Sequence, residues 1–263
     1  MAFLYSLCSS SKGNSTYIGE AKSGILIDAG IGIRGFADQM KIAQIEESAI
    51  KAIFITHEHI DHVRGLKPIA KKLNVPIYGS KETLTKLIEK DQIDSSADLY
   101  EINKLSVSVG TVHIKAFATP HDTSKSLGFK ITTQDDKSLC YATDLGNVTD
   151  TVFEQMFNSD LVFIESNYDE EMLSCGPYPI SIKRRIASNN GHLSNEACSQ
   201  CIARLMDGKT KKFILAHLSQ NNNKPELAYS KAVTTLLNRG ATIELDYTLD
   251  IAPQTNIGKC ITI

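Results

Sequence analysis

Short apolar runs broken by glycine, serine and charged turns fill the first thirty positions, at Phe3 to Leu7, Thr16 to Ile18 and Gly24 to Asp28. Runs of this length between turn residues predict three short strands in an antiparallel meander. The connection Ser9-Ser10-Ser11-Lys12-Gly13-Asn14-Ser15 has two readings. Its backbone N–H groups could form a nest that meets a phosphate, with Asn14 as a substrate contact. Alternatively it is a tight connection with Gly13 or Asn14 at positive φ.

After a loop at Gly30 to Gly35 and a short helix at Phe36 to Met40, the run Ala52-Ile53-Phe54-Ile55 predicts a buried strand. A helix follows from Val63 to Leu73, its regular part read as Leu66 to Leu73 ending at Asn74, then a strand at Pro76 to Gly79 and a helix at Lys81 to Lys90. From Leu105 the pattern turns strand-rich: Leu105 to Val109, Val112 to Ala118, Gly128 to Thr133 and Ser138 to Thr143, the last two joined by Gln134-Asp135-Asp136-Lys137. The alternation then returns, with helix Val152 to Phe157, strand Leu161 to Glu165, helices Ile182 to Ser188 and Asn195 to Met206, and strand Phe213 to Ala216. Helix Glu226 to Asn238 and strand Thr242 to Leu245 complete it. Two comparable halves of strands followed by helices predict an α/β protein, an αββα sandwich of two mixed sheets with helices on the outer faces. We expect residues 1–263 to form a single domain, since the length suffices for one large core.

Composition narrows the function classes only a little. Hydrophobic residues make up 42% and charged residues 22%, as in ordinary soluble proteins. A net charge of −2 exerts no global pull on nucleic acid, so a phosphate-rich partner must be held by a local basic patch or by bound cations. Met1 to Leu7 lacks the charged leader of a signal peptide and no run is long enough to span a bilayer, which points to a cytoplasmic protein off the membrane. Six cysteines without an export signal fit reduced thiols. Cys198 and Cys201 have C-x-x-C spacing, but no second pair accompanies them, and with Ile202 they fall on the apolar face of a helix, so they read as core.

The chemistry concentrates in Thr56-His57-Glu58-His59-Ile60-Asp61-His62, where three of the seven histidines sit at the end of an apolar strand. On an extended segment His57 and His59 point the same way and can share one cation. Asp61 and His62 open the next helix, and the change of backbone direction aims them at a second, adjacent position. An H-E-x-x-H zinc site is excluded, because Asp61 stands four residues after His57. Further donors belong just past other strand ends, and His121, Asp144 and His217 occupy such places. His113 lies within a strand without a ligand pattern and reads as structural.

With Asp28, the cluster His57 to His62, His121, Asp144 and His217 in this order, the chain resembles the metallo-β-lactamase superfamily over essentially its whole length. The resemblance implies that His57, His59 and His121 hold one divalent metal ion and Asp61, His62 and His217 a second. Asp144 would bridge the two, and Asp28 would support the ligands by hydrogen bonding. Zinc, manganese and iron all suit such donors. The histidine at 59, where flavodiiron oxidoreductases of this fold carry an acid, implies hydrolysis. Phe163 to Ser166, Gly191 to Asn195 and Ala216 to Ser219 look like the tRNA 3′-processing branch, in which a glutamate and a histidine, here Glu165 and His192, act near the leaving group. The opening Leu7 to Thr16, with Gly191 to Asn195 and His217-Leu218-Ser219, is similar to the YycJ/WalJ group, implied to be metal-dependent 5′ to 3′ DNA exonucleases linked to mismatch repair and cell-wall signalling. The stretch between Asp144 and His217 is too short for the inserted domain of β-CASP nucleases.

The expected mechanism uses two cations about 3.5 to 4 Å apart that share a bridging hydroxide for in-line attack on a phosphodiester. Asp61 orients that water or accepts its proton, and His192, positioned by Glu165, protonates the departing oxygen. Ser194 reads as a helix N-cap whose neighbouring N–H groups could also meet substrate phosphate. Lys183-Arg184-Arg185 is the first candidate contact to DNA, with Arg184 as its central residue, and Lys209, Lys211 and Lys212 are the second; both runs are equally what a solvated helix face carries. Two other readings remain: a thioester or lactone hydrolase resembling glyoxalase II, and a regulatory protein with structural metals. The ligand set exceeds what a closed structural zinc site needs.

Overall fold

In the computed structural model, which describes residues 1–102 and 106–263, the opening meander is longer than its apolar runs. Strands β1 (Phe3–Ser10) and β2 (Gly13–Glu20) pair through Ser9↔Asn14 and Ser10↔Gly13, so only Ser11 and Lys12 remain as a turn. Neither Gly13 nor Asn14 adopts positive φ, which corrects that part of the turn expectation. Local bonds to the asparagine amide make the extension possible: Ser10 N–H donates to Asn14 Oδ1 and Asn14 Nδ2 donates to the Ser10 carbonyl.

Strand β3 (Ser23–Ile27) leads to helix α1 (Ile33–Ala43), which starts three residues earlier than its apolar pattern suggests, and β4 (Ile50–Phe54) runs parallel to β3. The expected helix from Val63 is two: one turn, α2 (Ile60–Val63), then α3 (Leu66–Leu73). Gly65 separates them, packed so closely that a Cβ there would lie 1.8 Å from the Ile31 carbonyl oxygen. Strand β5 (Ile77–Gly79), helix α4 (Lys81–Glu89) and a short strand β6 (Leu99–Glu101), which the sequence pattern does not announce, finish this half.

The second half holds β7 (Ser106–Val109), β8 (Val112–Thr119), β9 (Ser126–Thr133), β10 (Ser138–Ala142), α5 (Asp150–Met156) and β11 (Leu161–Glu165). Leu105, the expected start of β7, lies outside the described residues. Then come α6 (Glu170–Cys175), α7 (Ile180–Ile186), α8 (Asn195–Leu205), β12 (Lys212–Ala216), α9 (Pro225–Leu237), β13 (Thr248–Ile251) and β14 (Ile261–Thr262). The strand expected at Thr242 to Leu245 is instead a turn. The Asp246 carboxylate accepts the Thr242 N–H and Glu244 sits at positive φ, so the pairing strand begins only at Thr248.

Among the described residues the strands form two sheets, ordered β14-β1-β2-β3-β4-β5-β6 and β13-β12-β11-β10-β9-β8-β7. Each is antiparallel at one side and parallel at the other, through β3 to β6 and β10 to β13. Side-chain alternation builds three apolar layers. Ile25, Ile27, Phe54, Phe129, Tyr141 and Phe163 meet between the sheets. Leu26 and Ile53 face outward onto Phe36, Leu66 and Leu87 of the helices. Val162 and Ile164 face Ile202 and Leu236 on the other side, in a layer that also buries Cys198 and Cys201. The αββα arrangement is therefore observed, and no helix of the described residues is long and apolar enough to cross a membrane. The parallel strands β3, β4, β10, β11 and β12 end at a common rim, where ligands gather in folds of this kind.

Phe129 is fully buried between the sheets, edge-on to Phe54 at a ring separation of 5.6 Å. Phe129→Ala is expected to cost about 3–5 kcal/mol of stability. A lower urea midpoint at unchanged slope is the readout.

Candidate metal centre

Backbone geometry at the strand ends aims the polar groups inward. Asp28 follows β3, Asp144 lies two residues beyond β10 and His217 follows β12, all three with φ between 54° and 58°. Left-handed backbone is uncommon for residues other than glycine, and it persists where surrounding structure imposes it. Here it turns each side chain out of the strand alternation and into the rim.

Hydrogen bonds fix which ring nitrogens stay bare. The Thr56 N–H and hydroxyl donate to the two oxygens of Asp28, each at 2.8 Å. The Thr56 oxygen is then an acceptor for His57 Nδ1 at 3.0 Å, which leaves His57 Nε2 buried and without a partner. His62 Nδ1 donates to Asp28 at 2.7 Å, His121 Nδ1 to the Gly191 carbonyl at 2.9 Å and His217 Nδ1 to Glu165 at 2.7 Å. Four histidines are thus tethered through Nδ1 and turn Nε2 toward one another, a pattern typical of metal ligands.

Those atoms converge. His121 Nε2 lies 3.3 Å from His59 Nδ1 and 3.5 Å from Asp144 Oδ1. The other Asp144 oxygen, buried with no hydrogen-bond donor, is 3.3 Å from His62 Nε2. Asp61 Oδ2 stands 3.4 Å from both His62 Nε2 and His217 Nε2. Donor atoms of His57, His59 and His121 lie close to one another, as do those of Asp61, His62 and His217; Asp144 has one oxygen near His121 and the other near His62, and the groups overlap, since His57, His62 and Asp144 also come together. Orphaned acceptors facing one another in a dry interior are costly unless a cation joins them. The donor set fits divalent metal ions.

Burial, with His62, His121 and His59 close by, holds His57 well below its ordinary pKa, in the neutral form that binds metal. Burial would lower His62 and His217 too, but carboxylates override it. Asp144, Asp61 and Asp28 raise His62 well above its usual value, and Asp144, Asp61 and Glu165 carry His217 to about 10. Glu165 is fully buried; its Oε1 accepts from both His192 and His217, while Oε2 accepts the N–H groups of Leu145 and Leu193. Despite burial, the two histidines hold its carboxyl well below the usual range, and it in turn raises His192.

The remaining sequence candidates distribute differently. Asn14 is buried, its Nδ2 at 3.3 Å from Asp61 and 3.1 Å from His62, so it braces the cluster from within. Ser194 is buried at the N-terminus of α8; its oxygen accepts the Ala197 N–H and its hydroxyl donates to Glu170, which places it in the scaffold and not on the rim. Arg184 is exposed and does not reach the centre, whereas its neighbour Arg185 does: its Nε donates to Asp122, whose other oxygen is 3.6 Å from His121 Nε2. His113 is a surface residue beside Ser108. Glu58 turns away from the histidines to Lys86 and Ser124, tying the His57 loop to the His121 loop. Sequence reasoning missed Thr56, Asp122 and Asn167, whose Nδ2 donates to the His217 carbonyl. Adjacency to a ligand was the available signal for the first two.

A sequence model described as beta-lactamase superfamily domain matches residues 24–218. The chain belongs to the metallo-β-lactamase superfamily. Within this superfamily it is YycJ/WalJ-like: it is 33% identical over 261 residues to the exodeoxyribonuclease WalJ of Streptococcus pneumoniae, covering 97% of this chain and 96% of that protein. The exodeoxyribonuclease YycJ of Bacillus anthracis is 32% identical over 237 residues, 89% of each chain. Among solved structures, the metallo-β-lactamase fold protein YhfI from Bacillus subtilis superposes with a TM-score of 0.72 at 15% identity, over 97% of this chain and 98% of that one. Zn(2+)-bound PqqB from Methylobacterium extorquens gives 0.72 at 16%, over 99% and 100%. At such identities these two structures establish the superfamily fold alone.

Thr56→Val keeps the N–H bond to Asp28 but removes the hydroxyl that donates to the other Asp28 oxygen and accepts from His57. Metal affinity is expected to fall about 10–100-fold. Titration against a competing chelator measures it.

Proposed function

We propose that this chain is a metal-dependent phosphodiesterase, a cytoplasmic 5′ to 3′ DNA exonuclease working with two divalent cations, whether zinc, manganese or iron. The observation that supports it most is the pair of donor clusters that meet at Asp144, with His192 held beside them by Glu165. His57, His59 and His121 would hold one cation and Asp61, His62 and His217 the other, Asp144 offering an oxygen to each. When bound, the cations would supply an acidified water and positive charge for the scissile phosphate.

The chain's own groups complete the reaction. Asp61, partly exposed beside the second cluster, orients the attacking water or accepts its proton. His192 keeps Nδ1 on Glu165 at 2.8 Å, and that carboxylate raises its pKa against the effect of burial, which favours the imidazolium that gives a proton to the departing oxygen. Glu165 works through His192 and His217, as a positioning residue. Arg185 at the rim and Arg184 behind it offer positive charge to the DNA backbone. The substrate class rests on the names of the YycJ and WalJ relatives, matched along nearly their whole length.

The deciding assay presents metal-loaded protein with end-labelled single- and double-stranded DNA, RNA and a thioester, with His59→Ala as control. Shortening of DNA from its 5′ end is expected. Cleavage of the thioester alone would move the chain to the glyoxalase-like hydrolases, and metal binding with no hydrolysis to the regulatory reading. His192→Ala is expected to lower kcat about 10²–10⁴-fold at unchanged metal content; parallel loss of metal would instead place His192 among the ligands.

A further inference from the structure

Helix α7 is an unusual element of this fold, because none of its residues is buried. It is held at its C-terminal end. The Ile186 carbonyl accepts the His192 N–H at 2.8 Å, which joins the helix directly to the centre, and Arg185 bonds Asp122 beside the first histidine cluster. Its other face is free. Ile180, Lys183, Arg184 and Ala187, spaced i, i+3, i+4 and i+7, line one side of a groove of about 440 Å³, and Tyr168 and Leu173 line the other. That volume lies within the roughly 300–1,000 Å³ range of small-molecule sites.

We infer that this groove, behind the rim, seats a nucleobase of the bound strand, a subsite that rests on the phosphodiesterase reading. Its walls are apolar where a base would lie: Ile180 is 64% exposed on one side, and the Tyr168 ring and Leu173 form the other. Its lip is cationic where the attached phosphate would emerge. Arg184 has no hydrogen bond or ion pair among the described residues, and Lys183 is engaged only by the Ser174 carbonyl. Glu170, the acid in the lining, accepts the Ser194 hydroxyl. An apolar slot with a free guanidinium at its edge matches a planar base joined to a phosphate, and binding of this kind tolerates any base. The groove shares helix α7 with the contacts that reach the centre: Arg184 and Ala187 line it, while Arg185 and the Ile186 carbonyl between them bond Asp122 and His192.

The test compares an oligothymidine strand with a base-free strand of the same length and backbone, using metal-loaded wild-type protein, Ile180→Asp and Ile180→Leu. Because Ile180 is exposed, these substitutions leave the core intact. For oligothymidine, Ile180→Asp is expected to raise KM roughly tenfold, the scale of one lost base contact. Ile180→Leu should retain the wild-type value. On the base-free strand wild type should already show the raised KM, and Ile180→Asp should add nothing to it. Equal effects of Ile180→Asp on both strands, or none on either, overturn the groove assignment while leaving the phosphodiesterase reading standing. Failure of wild type to cleave either strand overturns that reading and this subsite with it.

Discussion

Unshared lone pairs forced together inside a dry protein rim govern this molecule. His57 Nε2 and one Asp144 oxygen are buried without partners, and ring nitrogens of His59 and His121 meet at 3.3 Å beside them. Such an arrangement is unfavourable by itself, and the rest of the fold holds it in place. Two sheets, each covered by helices, bring the ends of parallel strands from both halves to one edge. The inter-sheet layer of Phe54, Phe129, Tyr141 and Phe163 keeps those halves in register. The stability of the apolar layers thereby sustains a cluster whose favourable energy appears only when positive charge enters it.

Much of that cluster is legible in the chain because metal donors are few residue types and fall just after apolar strands. His57, His59, Asp61, His62, His121, Asp144 and His217 all converge, and each lies within seven residues of an easily recognised hydrophobic run. The supporting groups are harder to read. Thr56 is an ordinary strand-end threonine until its hydroxyl is seen to link Asp28 with His57. Among adjacent cations, about 100° of helical rotation separates Arg185, which meets Asp122, from Arg184, which faces the groove; composition carries no record of that phase. Asn14 offers a phosphate contact on sequence alone, yet it is enclosed by the elements packed around it, whereas Ser194 is the N-cap of α8 that its position announces.

The same limits apply to the secondary structure. Long apolar strands such as β8 to β12 are recognisable from their pattern. Short edge strands such as β6 and β14 carry too few residues to show one, and their pairing partners lie far along the chain. The run Thr242 to Leu245 has strand-like composition, but Asp246 closes a turn on it and pairing passes to Thr248–Ile251. Tertiary pairing overrides local preference there.

One carboxylate oxygen, Glu165 Oε1, receives both the His192 and the His217 ring. Electron density withdrawn from it by one imidazole is density the other cannot use. Any change in charge at His217 is therefore felt at His192 without movement of the backbone.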